Sequence, residues 1–514
     1  MLNYQHNGVW GSSLAPRGCI EAALILPRKS IAMSIVFAKE NPLFQGWGRP
    51  LRLESNIAGL ELVSGEVPDG LNGCWFRAGP DWQYPSGRDD DIFIDGEGMI
   101  HRFKFENGAV SYRSRWVRTA RFEAQEKAGK ALFGRYRNRY TNDASVADVS
   151  MGTGNTNAIF HAGKLLVLKE DDLPYEIDPE TLETIGKYDH RGAVKSVCMS
   201  AHPKVDTVED KLLTYAYQAK GDATKDIVYY EFDSDGALAS EIWFEMPFPG
   251  MVHDFAITPH YAIFPIFPLI ADLERIKQGG DYYAYYPGEQ MHVAIVPRNG
   301  AAKDVKWFKG PAWTAGHMLN AFEEDGRICL DLCLYDGSCF TFLKTDNGEP
   351  TEFCPPILTR LAFDLTEGNE EFTSKRIMPV PCEMPRTDDR YQGYPVTHGF
   401  VIVYRGQDGT SALGKVDMAT GEMKTWSPGP RSSIHEPQFV PRTPDAPEGD
   451  GWLLVIVNRL DDNHSDLAIV DATDIEAGPV ALLRLPVRVR STFHGIWVPA
   501  ETLESGHHAM KRTA

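Results

Sequence analysis

Four histidines stand in similar settings along the chain: His202 in SAHPKVD, His253 in MVHDFAIT, His317 in TAGHMLNAF and His494 in TFHGIWVP, each beside a β-type run. Neutral imidazoles suit a divalent transition metal. Four of them on a centre that takes six ligands would leave two positions for incoming molecules. None is spaced like a local metal motif such as HExxH. A lone histidine near a strand is more often a hydrogen-bonded structural residue. The set gains meaning only if its strands converge on one axis. A second stretch, KLLVLKEDDLPYEIDP (164–179), places Lys169, Glu170, Asp171 and Asp172 directly after the apolar run Leu165 to Leu168. The plain reading is a solvated strand end, with Lys169 paired to Asp171 or Asp172. The other is a set of polar groups aimed at a reaction.

The elements that must position these residues read as short strands. From about Arg52 onward, β-branched and aromatic runs alternate with turn residues: 211–218, 226–233, 261–267, 291–298, 327–336, 400–406, 452–460, 466–472 and 481–490. SDGA, DNGE and GQDG lie between runs of this kind. The helical signals are 121–136 and 270–277. So many antiparallel strands cannot stay one open sheet, and a β-propeller is the favoured solution. No WD or kelch repeat is present. Residues 41–500 read as one all-β domain, residues 1–40 as an N-terminal extension (disordered, or an over-called start before Met33), and 501–514 as a C-terminal tail.

With 514 residues, 43% hydrophobic and 24% charged, the chain can bury a large core. A formal net charge of -19 argues against a nucleic-acid groove or an anionic membrane surface. No long uninterrupted apolar segment predicts a membrane span. Of eight cysteines, Cys329 and Cys333 share one apolar run, and no CxxC pair occurs. They read as reduced core thiols in a cytoplasmic protein.

With their flanks, the four histidines resemble the ligand set of the carotenoid cleavage oxygenase family, in the family's order. FRAGPDWQYP, DIFIDGEGMIHRFKFENG (91–108) and EPQFVPR (436–442) are similar too, and the likeness covers roughly 43–498. The resemblance implies a seven-bladed β-propeller, with a few helices and loops capping the face that holds the metal. It implies Fe(II) on the axis and O2 as co-substrate, with no organic cofactor. The reaction implied is cleavage of a carbon–carbon double bond to two carbonyl products. It makes His202, His253, His317 and His494 the iron ligands. Glu170, Glu383 and Glu436 then hydrogen-bond the outer nitrogens of three of them, which fixes ring orientation and raises basicity.

Within the family the chain looks closest to the branch acting on phenolic alkenes, which includes isoeugenol monooxygenase and lignostilbene dioxygenases. The likeness lies in RFEAQEKAGKALFGRYRNRYTND, KEDDLPYEIDPETLETIGKYD, DFAITPHYAIFPIFP and NRLDDNHSDLAIVDA. It implies that Tyr136 and Lys169 bind the substrate's para-hydroxyl. A desolvated ammonium beside a phenol favours the phenolate, which feeds electron density to the alkene. Strand alternation, however, puts Lys169 and Glu170 on opposite faces unless the chain bends there. Ile94 stands where stilbene cleavers tend to have phenylalanine, which favours a one-ring substrate such as isoeugenol or 4-vinylguaiacol over a stilbene. Segment 332–348 departs from both groups. Phe264, Phe267, Tyr282, Tyr283, Tyr285 and Tyr286 form either an entrance or ordinary loop packing. The partners expected are a small phenolic alkene and, at most, a second copy of the chain. The rivals are a stilbene dioxygenase, a carotenoid or apocarotenoid cleaver, and a non-catalytic propeller scaffold.

Overall fold

The computed structural model describes residues 23–24, 37, 41–206, 208–405 and 409–508. Its strands assemble into radially ordered antiparallel units (blades), which number seven once one long strand is divided. Blade 1 runs Gly495–Pro499, Gly73–Asp81, Glu97–Glu106, Ala109–Trp116. Blade 2 runs Asn157–His161, Lys164–Leu168, Tyr175–Ile177, Thr184–Lys187, and blade 3 Lys204–Asp206, Lys211–Tyr217, Asp226–Phe232, Leu238–Glu245. In blade 4, Gly250–Met251 and Ala256–Ile257 both pair with Tyr261–Ala271, followed by Met291–Pro297 and Lys306–Gly310. The strand Phe372–Arg386 serves two blades. Up to Pro381 it is the outer strand of blade 5, after Thr314–Glu324, Arg327–Tyr335 and Ile357–Asp364. From Cys382 it is the inner strand of blade 6, before His398–Tyr404, Ser411–Asp417 and Met423–Trp426. In blade 7, Ser432–Ile434 and Gln438–Pro441 pair with Gly451–Arg459, followed by His464–Asp471 and Pro479–Leu485.

Two strands close the ring in opposite senses. Glu61–Gly65, early in the chain, adds to Pro479–Leu485 at the edge of blade 7. Gly495–Pro499, near the end, pairs with Gly73–Arg77 as the inner strand of blade 1. The strands are buried on both faces because each blade packs between two others. Tyr215 of blade 3, for example, meets Phe255 and Phe264 of blade 4 at ring distances of 4.9 and 5.3 Å.

The helices are shorter than the sequence suggests. The first spans Ala120–Ala128, capped by Thr119 at one end and by Gly129, at φ 67°, at the other. Only glycine takes that conformation without strain, so Tyr136 falls in the irregular segment beyond. The second begins at Leu273, because Tyr261–Ala271 continues as a strand to its N-cap Asp272. Of the expected N-terminal extension, Ala23 and Leu24 pair with Asn56 and Ser55, and all the rest but Phe37 lies outside the described residues. Ala500–Ser505 forms a short helix with Thr502 buried. Among the described residues all seven cysteines are free, and no helix is long and apolar enough to cross a membrane.

A Cβ on Gly495 would lie 1.9 Å from the Phe76 carbonyl oxygen. Gly495→Ala is therefore expected to pry the closing strand from Gly73–Arg77. The expected loss is about 1–3 kcal/mol of stability, read by urea denaturation.

Candidate metal centre

In a propeller the sheets stand radially, so side chains of a regular strand face the neighbouring blades and not the axis. Aiming a side chain at the axis requires a break in the strand, and each predicted ligand sits at one. His202 lies two residues before Lys204–Asp206, and His494 directly before Gly495–Pro499. His253 occupies the gap between Gly250–Met251 and Ala256–Ile257. His317 sits where the register of Thr314–Glu324 slips between Ala315 and Met318, as a bulge re-aims a side chain. Blades 3, 1, 4 and 5 thus each contribute one imidazole.

These breaks bring the rings together. One ring nitrogen from each of His202, His253 and His317 lies within 4.8 Å of the other two. His202 Nε2 and His253 Nε2 are 3.2 Å apart. The His494 ring adjoins the triad, with its centroid 4.5 Å from that of His202 and 4.7 Å from that of His317.

The predicted glutamates come from the remaining three blades. Glu383, at a register slip in Phe372–Arg386, accepts from His317 Nδ1 at 2.7 Å. Glu436, between the two inner strands of blade 7, accepts from His494 Nδ1 at 2.8 Å. A proton held on Nδ1 leaves Nε2 with its lone pair free to ligate. Glu170 stands 3.8 Å from His253 Nδ1, beyond hydrogen-bond range, and both His253 Nδ1 and Glu170 Oε2 are buried without a hydrogen-bond partner among the described residues. Burial, reinforced by the other three imidazoles, holds His202 well below the usual histidine range. Burial lowers His494 to about 4 against the pull of Glu436. Burial opposes the charge of His317 too, but Glu383 outweighs it and raises this ring. Converging imidazole nitrogens, backed by carboxylates, fit a divalent metal ion better than they fit one another.

Sequence reasoning missed the groups that hold the glutamates. Arg77, fully buried, donates to Glu436 Oε2 at 2.8 Å, with Arg386 3.9 Å from Oε1. Tyr335 OH donates to Glu383 Oε1 at 3.3 Å. Asp254, the residue after His253, stands 3.8 Å from His202 Nδ1. Arg77 lies in the quoted FRAGP and Asp254 in the quoted HDF, but neither carries a spacing signal of its own.

Lys169 and Glu170 share one side after all. The strand ends at Leu168, and residues 170–172 turn, with Asp172 N–H donating to Lys169 O. Lys169 is buried, its Nζ 5.0 Å from the centre of the Tyr136 ring and 3.7 Å from Glu170 Oε2. It is Lys187 that pairs with Asp172, at 2.5 Å. Tyr136 OH donates to Glu170 Oε1 at 3.2 Å. Burial, with the Glu170 charge beside it, holds the Tyr136 hydroxyl well above the phenol range. Burial works against the Glu170 charge, but Lys169, His253 and Arg137 outweigh it and keep the carboxyl ionised.

Ile94 is half-buried, its carbonyl accepting from Asn155 Nδ2 at 2.8 Å. The aromatic rings beside His253 come from elsewhere. Phe340, from segment 332–348, lies edge-on to His253 at 6.4 Å and against Phe342 at 5.1 Å. Phe93 then bridges Phe342 and Phe493 at 6.1 and 6.0 Å. Of the aromatic set read as an entrance or as packing, Phe264, Phe267, Tyr282, Tyr283 and Tyr285 are core residues.

The family model for retinal pigment epithelial membrane protein (RPE65) matches residues 48–499. The chain belongs to this family, that of the carotenoid oxygenases. It is 40% identical to an isoeugenol monooxygenase of Pseudomonas putida over 90% of this chain and 98% of that one. It is 39% identical to lignostilbene-alpha,beta-dioxygenase isozyme III of Sphingomonas paucimobilis, over 88% and 96%. The crystal structure of Pseudomonas brassicacearum lignostilbene dioxygenase superposes with a TM-score of 0.88 at 41% identity, covering 91% of this chain and all of that one. Like its relatives, the chain is an alkene-cleaving oxygenase with a seven-bladed propeller.

A Cβ on Gly316 would fall 2.1 Å from Glu383 Oε1. Gly316→Ala is expected to displace that carboxylate from His317 and weaken metal retention roughly 10-fold or more, measured by elemental analysis after dialysis against a chelator.

Proposed function

We propose that this carotenoid oxygenase holds a non-haem Fe(II) and uses O2 to cleave the side-chain double bond of a 4-hydroxyphenyl alkene of the isoeugenol or 4-vinylguaiacol type. The products are a vanillin-type benzaldehyde and a second carbonyl fragment. His202, His253, His317 and His494 hold the iron, and Glu383 and Glu436 fix two of the rings. The chemistry a bound Fe(II) supplies is activation of O2.

The observation that carries the substrate class is the burial of Lys169 against Tyr136. Holding an ammonium away from water is costly unless a charged partner answers it. Glu170 supplies that charge at 3.7 Å, too long for a hydrogen bond, so the ammonium keeps N–H groups to offer a further acceptor. A phenol hydroxyl placed between Lys169 and Tyr136 gives the ammonium an ionisable partner, and the ammonium in turn favours the phenolate. Charge released into the ring raises electron density on the conjugated alkene. Tyr136, kept neutral, orients the hydroxyl by donating or accepting a hydrogen bond.

A second reading, a two-ring stilbene, is favoured by the aromatic rings beside His253. Phe340 and Phe342 supply aromatic faces that the presence of Ile94 alone argued against. The preferred substrate among isoeugenol, 4-vinylguaiacol, resveratrol and a 4-hydroxystilbene decides between them. Cleavage of these phenols is expected, with no turnover of the 4-O-methyl ether of isoeugenol or of an apocarotenal. Cleavage of the apocarotenal in their place would refute the phenolic assignment.

Two variants test the roles. Lys169→Met is expected to keep iron at the wild-type ratio and to cut kcat/KM for free phenols by roughly 100-fold, the range of one lost electrostatic contact in a dry site. Unchanged kinetics would reduce Lys169 to a buried charge without function. His317→Ala is expected to lose both iron and turnover, and an iron-replete, active variant would remove His317 from the ligand set.

A further inference from the structure

Three of the four histidines have a glutamate facing the outer nitrogen, and among the described residues His202 has none. What faces it is Asp254, whose Oδ1 lies 3.8 Å from His202 Nδ1. Asp254 is only 1% exposed. Its contacts reach three ligand-bearing segments. Directly after His253 in the chain, it accepts from Lys204 Nζ at 2.8 Å, two residues past His202. Its other oxygen accepts from Met318 N–H at 2.9 Å, one residue past His317. Its remaining contact is local, from Phe255 N–H at 2.8 Å. Asp254, Lys204, His202, His317 and His494 all border one polar cavity of about 50 Å³ on the propeller axis.

We propose that Asp254 is the fourth carboxylate of the metal centre, a positioning residue that orients His202 and sets the spacing of the blade 3, 4 and 5 ligands. The proposal rests on the metal reading given above. A carboxylate facing Nδ1 selects the tautomer that carries the proton there and presents Nε2 to the metal. The cavity has room for a water to relay that contact. Lys204 offsets the added negative charge and fixes the carboxylate in place, so Asp254 serves as a rigid reference for all three segments.

The test is Co(II) titration of the metal-stripped full chain, following affinity and the visible ligand-field bands, with thermal melting alongside. Asp254→Ala is expected to bind Co(II) roughly 10- to 100-fold more weakly than wild type, with displaced bands. Asp254→Asn keeps one acceptor for the Met318 N–H but loses the charge, and is expected to fall between the two. Wild-type affinity and bands in Asp254→Ala would overturn the proposal, whatever the melting temperature. Should Asp254→Ala not fold, Asp254→Asn and Lys204→Met take its place, and the proposal fails if both match wild type in affinity and spectrum. Wild-type protein that binds no Co(II) would overturn the metal reading itself, an outcome separate from any difference among variants.

Discussion

An imidazole that ligates a metal has a second nitrogen, and whatever holds that nitrogen decides where the ring points. In this protein the holder and the held never belong to the same blade. His494 of blade 1 is fixed by Glu436 of blade 7, and His317 of blade 5 by Glu383 of blade 6. Arg77 of blade 1 crosses the same seam to grip Glu436 from its other side. The contacts that orient these histidines are therefore also contacts that join the ring. Every one lies in a nearly dry interior, where removing one partner strands the other's charge at a cost of several kcal/mol. Site geometry and ring geometry are set together.

Glu170 couples the two ends of the site. One carboxylate faces His253 at 3.8 Å, accepts from Tyr136 and lies beside Lys169. Anything that changes the charge balance around Tyr136 and Lys169 is felt by the carboxylate that faces His253. Binding of a phenolate would draw the ammonium's field toward the substrate and leave more of the Glu170 charge to His253. In a low-dielectric interior such redistribution over a few ångströms is significant. Under the proposed function, substrate binding and the basicity of His253 would be linked through this single side chain.

The strands were legible because their alternation and turn residues are strong local signals. Runs such as 211–218 and 226–233 appear as Lys211–Tyr217 and Asp226–Phe232. The histidines were visible only through resemblance, and the fold explains why. Each sits where strand periodicity fails, at a gap, an end or a bulge, so no pattern around it announces its direction. The bend after Leu168, which puts Lys169 and Glu170 on one side, left no trace beyond a run of charge. The helix over 121–136 was read too long because EKAGKALFGRY retains helical composition past Gly129, whose φ of 67° ends it. Arg77 and Asp254 were beyond reach, since their meaning depends on partners far away in sequence, whereas the segment that carries Phe340 and Phe342 stood out only by departing from its relatives.

The closing strand Gly495–Pro499 brings with it the last of the four histidines. On a chain emerging from the ribosome, His202, His253 and His317 appear well before it, along with most of the strands of blades 3 to 5. Until residues 493–499 arrive, blade 1 lacks its inner strand, Arg77 lacks the Phe493 carbonyl it binds, and Glu436 lacks the His494 ring. The four histidines stand together only once the closing strand is in place. A chain stopped short of this closing strand cannot bring the four histidines together, so under the proposed function it would have no complete metal site.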